Sequence, residues 1–355
     1  MEDIAKTVLD KEASQLILDC RLSPSKAGKI EELLDCTVVD RIQLILGIFA
    51  QRARSREGKL QVELAQLRYM LPRLTGKGSS LSRLGGGIGT RGPGEKKLET
   101  DRRHVRQRIQ TLERQIAHIG LRRHRENIQR KKSGIPLVAM VGYTNAGKTT
   151  LMNALSETES TAADQLFTTL DPLHRIIHLP QGHQAILVDT VGFIRELPHE
   201  LIAAFRATLD EAKNADLLLK VLDASSLELE NQEEAVDQVL SEIGITDIPT
   251  IVVLNKADQV FARPEYPGKG TADDSIFWIS ALKQEGLLQL LRRIEATLFE
   301  NEQQYLLVIP FSDSEALAKV YKLGHRVQVK TTDSGYEVQV VLADEHLHLF
   351  NEYVS

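Results

Sequence analysis

The sequence has few residues that could anchor it in a membrane or cross-link it, and these shortages exclude several classes of protein. No window approaches about 18 consecutive apolar residues, so we expect no transmembrane helix. The first residues, Met1 to Lys6, are charged and lack the apolar core of a signal peptide. The cysteines are Cys20 and Cys36, without a histidine or further cysteine at metal-ligand spacing. We therefore expect two buried, reduced thiols in a cytoplasmic protein, with a disulfide or a metal site as alternatives.

Charge is distributed unevenly along the chain. The formal net charge of the 355 residues is −5, yet the segment from Arg83 to Lys132 carries 15 Lys or Arg against 5 Asp or Glu. The other residues therefore carry a net charge of −15. A basic segment on an acidic protein indicates a polyanionic partner that meets one face only. A solvated helix face is the alternative interpretation.

A short glycine-containing stretch carries the clearest chemistry. Residues 136–141 form an apolar run of strand length, and residues 151–155 predict the opening of a helix. Between them lies G-x-x-x-x-G-K-[ST], the phosphate-binding P-loop, in the strand-turn-helix context that disfavours a chance glycine turn. We expect nucleotide contacts from nine residues: Gly142, Tyr143, Thr144, Asn145, Ala146, Gly147, Lys148, Thr149 and Thr150.

Individual P-loop positions have separate physical roles. Gly142 and Gly147 permit a tight turn, so that N–H groups from Asn145 to Thr149 converge on a phosphate at a helix N-terminus. We expect Lys148 to reach the β- and γ-phosphates and the Thr149 hydroxyl to bind Mg²⁺.

A second motif indicates the base. Asn255-Lys256-Ala257-Asp258 follows the predicted strand 249–254. Asp258 can accept the N1–H and 2-amino hydrogens of guanine, a pair that adenine does not offer. Lys256 is expected to lie over the base and Asn255 to tie this loop to the P-loop. A backbone N–H after the strand 275–279 is expected to reach the guanine O6, from Ser280, Ala281 or Leu282.

Two further segments have the positions of nucleotide-sensing switches. Switch II follows the strand 184–188 and comprises Asp189, Thr190, Val191 and Gly192. We expect Asp189 to hold Mg²⁺ through a water and the Gly192 N–H to sense the γ-phosphate. Switch I is expected to include Phe167, Thr168 and Thr169, of which we favour Thr169 for the Mg²⁺ shell. The predicted catalytic residues are Lys148, Thr169 and Gly192.

The residue after Gly192 is Phe193, where many small GTPases place a glutamine that orients the attacking water. Phenylalanine cannot form that hydrogen bond. In one interpretation Phe193 packs on the switch II helix and catalysis uses the backbone. In the other, the free enzyme is slow and a partner supplies the missing stabilisation. Both can hold together.

The segment before the P-loop predicts a helical hairpin. Residues 15–40 predict strand, helix and strand, and Asp40 then caps one long helix from Arg41 to about Leu71. A second long helix is expected from about Lys96 to Lys132. Matching apolar seams at spacings of 3 and 4 predict antiparallel, coiled-coil-like packing of the two helices. The seams comprise Leu60, Leu64, Leu67 and Leu71, then Val105, Ile109, Leu112, Ile116 and Ile119.

The loop 75–95, between these helices, has 8 glycines in 21 residues. We interpret it as a basic tip that folds against RNA, with a disordered loop as the alternative. Its G-x-G-x-x-G match, from Gly87 to Gly92, does not indicate a dinucleotide site, because no strand precedes it and Pro93 follows. The expected RNA contacts are Arg91, Arg102 and Arg103, with Arg106, Arg122 and Arg123 also holding the RNA backbone.

Taken together, the motifs predict an α/β protein built around a P-loop GTPase domain with a doubly wound, mostly parallel sheet. Strands are expected at 137–141, 174–179, 184–188, 217–222, 249–254 and 275–279. The predicted units are a short α/β unit (1–52), the hairpin (53–134), the GTPase domain (135–300) and a small α+β domain (301–355).

The residues of these motifs resemble those of the HflX family of ribosome-associated GTPases. The resemblance rests on Gly-Tyr-Thr-Asn-Ala-Gly-Lys at 142–148, Leu-Phe-Thr-Thr-Leu-Asp-Pro at 166–172 and Asp-Thr-Val-Gly-Phe-Ile at 189–194. It also rests on three hairpin segments, 58–67, 86–95 and 98–103. The chain departs from the family at its start, where the family's N-terminal domain is usually longer.

The resemblance implies a monomeric, cytoplasmic protein, in part bound to ribosomes or membrane without spanning it, that binds GTP or GDP with Mg²⁺. Asn145 would bind K⁺ beside the phosphates or make a structural hydrogen bond to switch I. The implied partner is the large ribosomal subunit and its rRNA, and docking would separate stalled or idle ribosomes into subunits. Two rival functions remain: a GTP-dependent RNA- or ribosome-binding switch without splitting activity, and an ATP-driven RNA remodeller, against which Asp258 argues.

Overall fold

The structure is a computed structural model, and it describes residues 2–75, 93–132, 134–156, 172–193, 211–261, 276–300, 302–332 and 334–354. At the N-terminal end, strand β1 (Gln15–Leu18) pairs in parallel with β2 (Thr37–Asp40), and helix α2 (Pro24–Leu34) connects them. The predicted strand, helix and strand are therefore present. Helix α1 (Glu2–Asp10) precedes them and is an addition to the predicted elements.

Two helices occupy the segment where one is predicted. Helix α3 (Arg41–Arg52) begins after Asp40, whose Oδ1 accepts the N–H of Gln43 at 2.9 Å, so the predicted cap is confirmed. The prediction of a single helix to Leu71 is wrong, because the chain is extended at Ala53 and restarts as α4 (Arg56–Met70). Ser55 caps α4 by accepting the N–H of Gly58 at 2.8 Å. This cap competes locally with continuation of the first helix.

Helix α5 (Pro93–Lys132) is 40 residues long, roughly 60 Å at the usual helical rise. It packs antiparallel to α4: Arg123 of α5 contacts Glu57 at the start of α4, and Glu113 contacts Arg68 near its end. The α5 seam is confirmed, with Leu112 fully buried and its other members partly buried. We call α4 and α5 the arm. No helix in the described part of the chain is long and apolar enough to cross a membrane.

The central sheet has the strand order β4-β5-β3-β6-β7-β8 within the described residues. Strand β4 runs antiparallel to β5, and the other neighbours are parallel, which confirms the doubly wound, mostly parallel sheet. The strands are β3 (Leu137–Gly142), β4 (Leu173–His178), β5 (Gln184–Asp189), β6 (Leu217–Asp223), β7 (Thr250–Asn255) and β8 (Ile276–Trp278). The helices of this unit include α6 (Lys148–Leu155), α7 (Leu229–Glu242) and α8 (Leu287–Leu298).

Alternate residues of β3 enter two separate apolar cores, because successive side chains of a strand point to opposite faces. Val138 and Met140 pack with α6 and α8. The residues that alternate with them share a core with α7, α3 and α4, in which Phe49 is fully buried. The base of the arm is therefore packed into the sheet that carries the P-loop. This one core includes residues on both sides of the boundaries at 52 and 134, and the domain limits stay predictions.

A small antiparallel sheet forms the C-terminal unit, in the order β10-β11-β9. Its strands are β9 (Glu302–Pro310), β10 (His325–Thr331) and β11 (Gly335–Ala343), and its helices are α9 (Ser314–Leu323) and α10 (Asp344–Leu347). The unit has its own core, around Ile309, Val320 and Phe350. The predicted small α+β unit is present.

The two cysteines occupy different environments. Cys36 is buried at the start of the β2 segment, as expected, whereas Cys20 is exposed in the bend after β1. The expectation that both thiols are buried is wrong for Cys20. Its bend lies beyond the end of β1, outside the strand pairing.

Candidate nucleotide site

The P-loop connects the carboxyl end of β3 to the start of α6. Gly142 has a φ of +156°, and a Cβ there would lie 2.1 Å from the Val221 carbonyl oxygen. Gly147 has a φ of +89°, and a Cβ there would lie 2.3 Å from Nδ2 of Asn255. Both positions therefore require glycine, because a side chain would collide with the neighbouring strand or loop. The loop thus turns tightly against two neighbouring strands.

Lys148 begins α6 and is buried beneath the loop. Its Nζ donates to the carbonyl oxygens of Gly142 at 3.0 Å and Tyr143 at 2.9 Å. Burial lowers the pKa of Lys148 to about 8, and the nearby Asp189 carboxylate opposes this shift. The ammonium is consequently held in place, and its charged form would gain from an anion bound above the loop.

Thr149 and Asp189 meet at the edge of the loop. The Thr149 hydroxyl donates to Oδ2 of Asp189 at 2.7 Å, and the Asp189 residue is fully buried at the end of β5. The next residue, Thr190, donates its hydroxyl to the Met140 carbonyl at 2.6 Å. Parallel pairing of β3 with β5 explains this meeting, because their carboxyl ends share one edge of the sheet.

Switch II residues lie directly against the P-loop. A Cβ on Gly192 would lie 2.8 Å from the Cα of Thr144 and 3.1 Å from Nζ of Lys148, so only glycine approaches this closely. Phe193 exchanges two backbone hydrogen bonds with the loop, donating to the Gly142 carbonyl and accepting from the Thr144 N–H. Its side chain is buried in the same core as Val191. It therefore faces the protein interior.

The residues of the predicted guanine motif are joined to the P-loop through Asn255. Its Nδ2 donates to the Ala146 carbonyl at 2.9 Å, and its Oδ1 accepts the Ala281 N–H at 3.0 Å. One side chain thus links the P-loop, the end of β7 and the segment after β8. The tie between Asn255 and the P-loop, expected from the sequence, is present as a contact. Asp258 lies in the short 3-10 turn Ala257–Gln259.

Lys256 has a partner that the sequence analysis missed. Its Nζ bonds Oδ2 of Asp223 at 2.7 Å, while Oδ1 of Asp223 accepts from the N–H and hydroxyl of Ser225. Asp223 ends β6 and pairs in register with Asn255 of β7. Its position at the carboxyl end of a strand beside β7 is the signal that could have identified it.

The structure brings together some predicted residues and leaves others outside its described ranges. The predicted residues that the structure brings together lie at the carboxyl edge of the sheet. They are the P-loop, Asp189 to Gly192, Asn255, Lys256, Asp258 and Ser280 to Leu282. The switch I residues Phe167, Thr168 and Thr169, and the tip residue Arg91, lie outside the described residues. Arg102 and Arg103 lie on α5, where Arg102 is partly buried and Arg103 exposed.

Several arm arginines pair with the protein's own carboxylates. Arg108 forms a bidentate ion pair with Glu63, donating from Nε to Oε1 at 2.7 Å and from Nη2 to Oε2 at 2.8 Å. Arg130 bonds Asp216 at 3.0 Å. Arg123 contacts Glu57 and Glu211, and the expectation that it also holds the RNA backbone stays a prediction. The basic composition of this segment therefore overstates the positive charge available on its surface.

This fold and site define a P-loop GTPase: a phosphate loop, a buried aspartate at the end of the adjacent strand, and an N-K-x-D loop tied to the phosphate loop through Asn255. Residues 1–50, 52–132 and 137–256 match three family models, described as GTP-binding GTPase N-terminal, GTP-binding GTPase Middle Region and 50S ribosome-binding GTPase. The chain belongs to the HflX family of GTPases, and it accordingly binds and hydrolyses GTP.

The family membership rests on two long sequence alignments, and one solved structure is similar as well. GTPase HflX of Caldanaerobacter subterraneus is 44% identical over 345 residues, covering 97% of this chain and 79% of that protein. GTPase HflX of Escherichia coli is 44% identical over 322 residues, covering 90% of this chain and 76% of that protein. A GTP-binding protein from Sulfolobus solfataricus, solved with GDP, is 29% identical with a TM-score of 0.46, over 84% of this chain and 86% of that one.

Proposed function

We propose that this GTPase docks on the large ribosomal subunit while GTP is bound and separates stalled or idle ribosomes into subunits. The observation that carries the proposal is the arm, whose 40-residue helix α5 ends at Lys132, shortly before the P-loop strand begins at Leu137. A stiff helical pair that packs into the core of the P-loop sheet can transmit a nucleotide-dependent change to a distant surface. The description 50S ribosome-binding, attached to the family model that residues 137–256 match, supports the same partner.

We assign the nucleotide contacts as follows. Lys148 neutralises the β- and γ-phosphates, and the N–H groups of the P-loop bind the phosphate oxygens. Asp258 selects guanine, and Lys256 lies over the base with its ammonium fixed by Asp223. Gly192 senses the γ-phosphate. These roles rest on the contacts around the P-loop and on the positions of the motifs in the chain.

GTPases of this class bind their nucleotide together with Mg²⁺. The Thr149 hydroxyl and the Asp189 carboxylate, 2.7 Å apart at the edge of the P-loop, are oxygen donors of the kind that Mg²⁺ prefers, so these residues fit the ion. We propose that Thr149 and Thr169 bind it directly and Asp189 through a water. When bound, the ion supplies neutralisation of the phosphate charge.

Asn145 is our candidate for a K⁺ ligand. It is exposed in the P-loop with a φ of +64°, and its amide oxygen could face a cation beside the phosphates. A hydrogen bond to switch I is the competing role. Hydrolysis assays in K⁺ and in Na⁺ test this, because only a K⁺ ligand predicts a K⁺ stimulation that Asn145→Ala removes.

The RNA contacts in this proposal are Arg91 in the tip and Arg102 and Arg103 on α5. Residues 85–94 would reach into the RNA, and the arm would hold them at a distance from the nucleotide. Charge reversal at Arg102 and Arg103 should weaken binding and flatten its salt dependence, since fewer counterions would be released. A ribosomal partner also places the protein in the cytoplasm.

Sucrose-gradient sedimentation of purified ribosomes tests the proposal. With a non-hydrolysable GTP analogue, the protein should convert whole ribosomes into subunits and sediment with the large one. Lys148→Ala should do neither, and deletion of residues 85–94 should abolish separation while leaving GTP binding intact. Sedimentation with ribosomes that stay whole would instead support the alternative, a GTP-dependent ribosome- or RNA-binding switch. Equal splitting by the deletion variant would show that the tip is a passive linker.

A further inference from the structure

Three charged side chains and a histidine from separate parts of the chain meet where the arm joins the sheet. Arg123 of α5 contacts Glu57 of α4 through Nη2 and places Nε 3.4 Å from Oε1 of Glu211. The other carboxylate oxygen of Glu211 lies 3.5 Å from Nε2 of His174 on β4. We call these four residues, Glu57, Arg123, Glu211 and His174, the arm-base cluster. It is a continuous polar connection from the arm to the edge strand of the sheet.

Burial makes Glu211 dependent on Arg123. Only 4% of the Glu211 side chain is exposed, against 16% for Arg123 and 46% for His174. Histidine carries charge only when protonated, whereas arginine is always charged, so Arg123 is the permanent counter-charge of the buried carboxylate. The other side of Arg123 is fixed as well, because Gln61 donates to Glu57 at 3.2 Å. Because two carboxylates hold the Arg123 guanidinium at once, its side chain is restricted to one conformation.

Two neighbours of Glu211 connect it to the nucleotide site: His174, its ion-pair partner, and Ala212, the next residue in the chain. His174, its partner, pairs in register with Val188, and the preceding residue of β4 pairs with Asp189. Ala212, its neighbour in the chain, belongs to the same apolar core as Phe193. The position of Glu211 is therefore coupled to the strand that ends in Asp189 and to the packing of Phe193.

We propose that Arg123 is a positioning residue for GTP hydrolysis. It touches neither phosphate nor base and acts by holding Glu211, which in turn fixes the edge strand β4 and the core around Phe193. The need for such a residue follows from Phe193, which offers no side-chain hydrogen bond to an attacking water. Hydrolysis then depends on how accurately the backbone of the switch region is held. This role concerns the free enzyme and is separate from any action on ribosomes.

A double-mutant cycle with a matched control tests the role. The variants are Arg123→Ala, Glu211→Gln and their combination, and the control is Arg108→Ala. Arg108 also pairs α5 with a glutamate of α4, but its partner Glu63 lies within the arm and makes no described contact with the sheet. The readouts are kcat and KM for GTP, the affinity for a fluorescent GDP analogue, and the thermal midpoint of unfolding.

We expect Arg123→Ala to lower kcat by roughly 2- to 30-fold, the range of effects seen in coupled networks. GDP affinity should change by less than about twofold, since no nucleotide contact is removed. Glu211→Gln should lower kcat to the same extent, and the combination should have no additional effect, because both changes break one connection. Arg108→Ala should leave kcat unchanged.

Three results would overturn the assignment. An unchanged kcat in Arg123→Ala, with a lowered unfolding midpoint, would leave Arg123 a purely structural role. If the fold-losses of kcat from the two single changes multiply in the combined variant, Arg123 does not act through Glu211. A kcat loss in Arg108→Ala would show that any loosening of the arm suffices. Should Arg123→Ala fail to fold, Arg123→Lys replaces it, because lysine keeps the charge but cannot serve two carboxylates in this geometry.

Discussion

The backbone N–H of Phe193 donates to the Gly142 carbonyl oxygen at 3.0 Å, which joins switch II to the first residue of the P-loop. The Phe193 carbonyl accepts from the Thr144 N–H at 2.8 Å, so both polar groups of its backbone are engaged. Its side chain points away from these bonds into the apolar core shared with α3 and α4. The position that carries a water-orienting glutamine in many small GTPases is here part of the core that supports the arm.

The first prediction concerns this residue. Phe193→Gln should not accelerate GTP hydrolysis, because the new amide would occupy the core rather than the nucleotide site. It should destabilise the protein by roughly 1–3 kcal/mol, the cost of burying an amide without partners. Single-turnover hydrolysis and thermal unfolding measure the two effects, with Phe193→Leu as the apolar control. A rise in hydrolysis rate in the glutamine variant would show that the side chain reaches the attacking water.

The second prediction concerns base selection. Asp258→Asn should weaken GTP binding by about 100-fold or more, because two charge-assisted hydrogen bonds, each contributing roughly 1.5–3 kcal/mol, are lost. The same variant should gain affinity for xanthosine triphosphate, whose base offers a matching pattern to an amide. Competition binding with both nucleotides measures the switch. Unchanged GTP affinity would mean that this loop does not read the base.

The third prediction follows from the buried Lys148, whose pKa in the free protein is about 8. A bound triphosphate favours the charged ammonium and raises this pKa. Above about pH 8 the free protein must therefore take up a proton to bind, and affinity should fall by up to about tenfold per pH unit. Calorimetric titrations with a non-hydrolysable GTP analogue between about pH 7 and pH 8.5, in buffers of different ionisation enthalpy, measure the proton uptake directly.

Two controls sharpen that experiment. Lys148→Ala should lose nucleotide binding or hydrolysis while keeping its circular dichroism spectrum. Tyr143→Phe should behave as the wild type, because Lys148 contacts the backbone carbonyl of Tyr143. A proton uptake of zero across this range would show that Lys148 stays fully charged in the free protein.

The fourth prediction concerns His183, which connects the β4–β5 hairpin to the C-terminal unit. Its ring bonds Glu295 of α8 at 2.6 Å and Glu302 of β9 at 3.0 Å, and it stacks on Phe299. The hydrogen bond to Glu302 raises the pKa of His183, against an opposing effect of burial, and the bond to Glu295 raises it further. The folded state therefore favours the imidazolium.

The pH dependence follows from the sign of this shift. A raised pKa stabilises the fold fully below about pH 6.5, the ordinary value for histidine, and this contribution is lost as the pH rises through the folded pKa. The difference in free energy of unfolding between wild type and His183→Gln should thus be larger at about pH 6 than at about pH 9. Denaturant unfolding at both pH values measures it. His178→Gln, an exposed position on the same hairpin, is the control, and a constant gap would exclude the charged histidine.

The sequence by itself determined the parts of the protein that depend on local order. The apolar runs of the parallel strands, the glycine spacing of the P-loop and the capping aspartate before α3 were all readable, because each depends on neighbours a few residues away. The position of the N-K-x-D loop after a strand was equally recognisable, and its selection of guanine stays a prediction. The break in the helix at Ala53 was not readable, because the cap at Ser55 is a weak local signal beside a strong apolar repeat.

Only the tertiary structure decided which charged side chains are exposed to a partner and which residues contact one another. Arg123 and Arg103 look alike in the sequence, yet one is clamped between two carboxylates and the other is exposed. Asp223 and Lys256 are 33 residues apart in the chain and meet because β6 and β7 are adjacent. Phe193 enters a core that α3 and α4 complete. Such pairings depend on strand order and helix docking, which bring distant residues within a few ångströms and leave no local pattern in the chain.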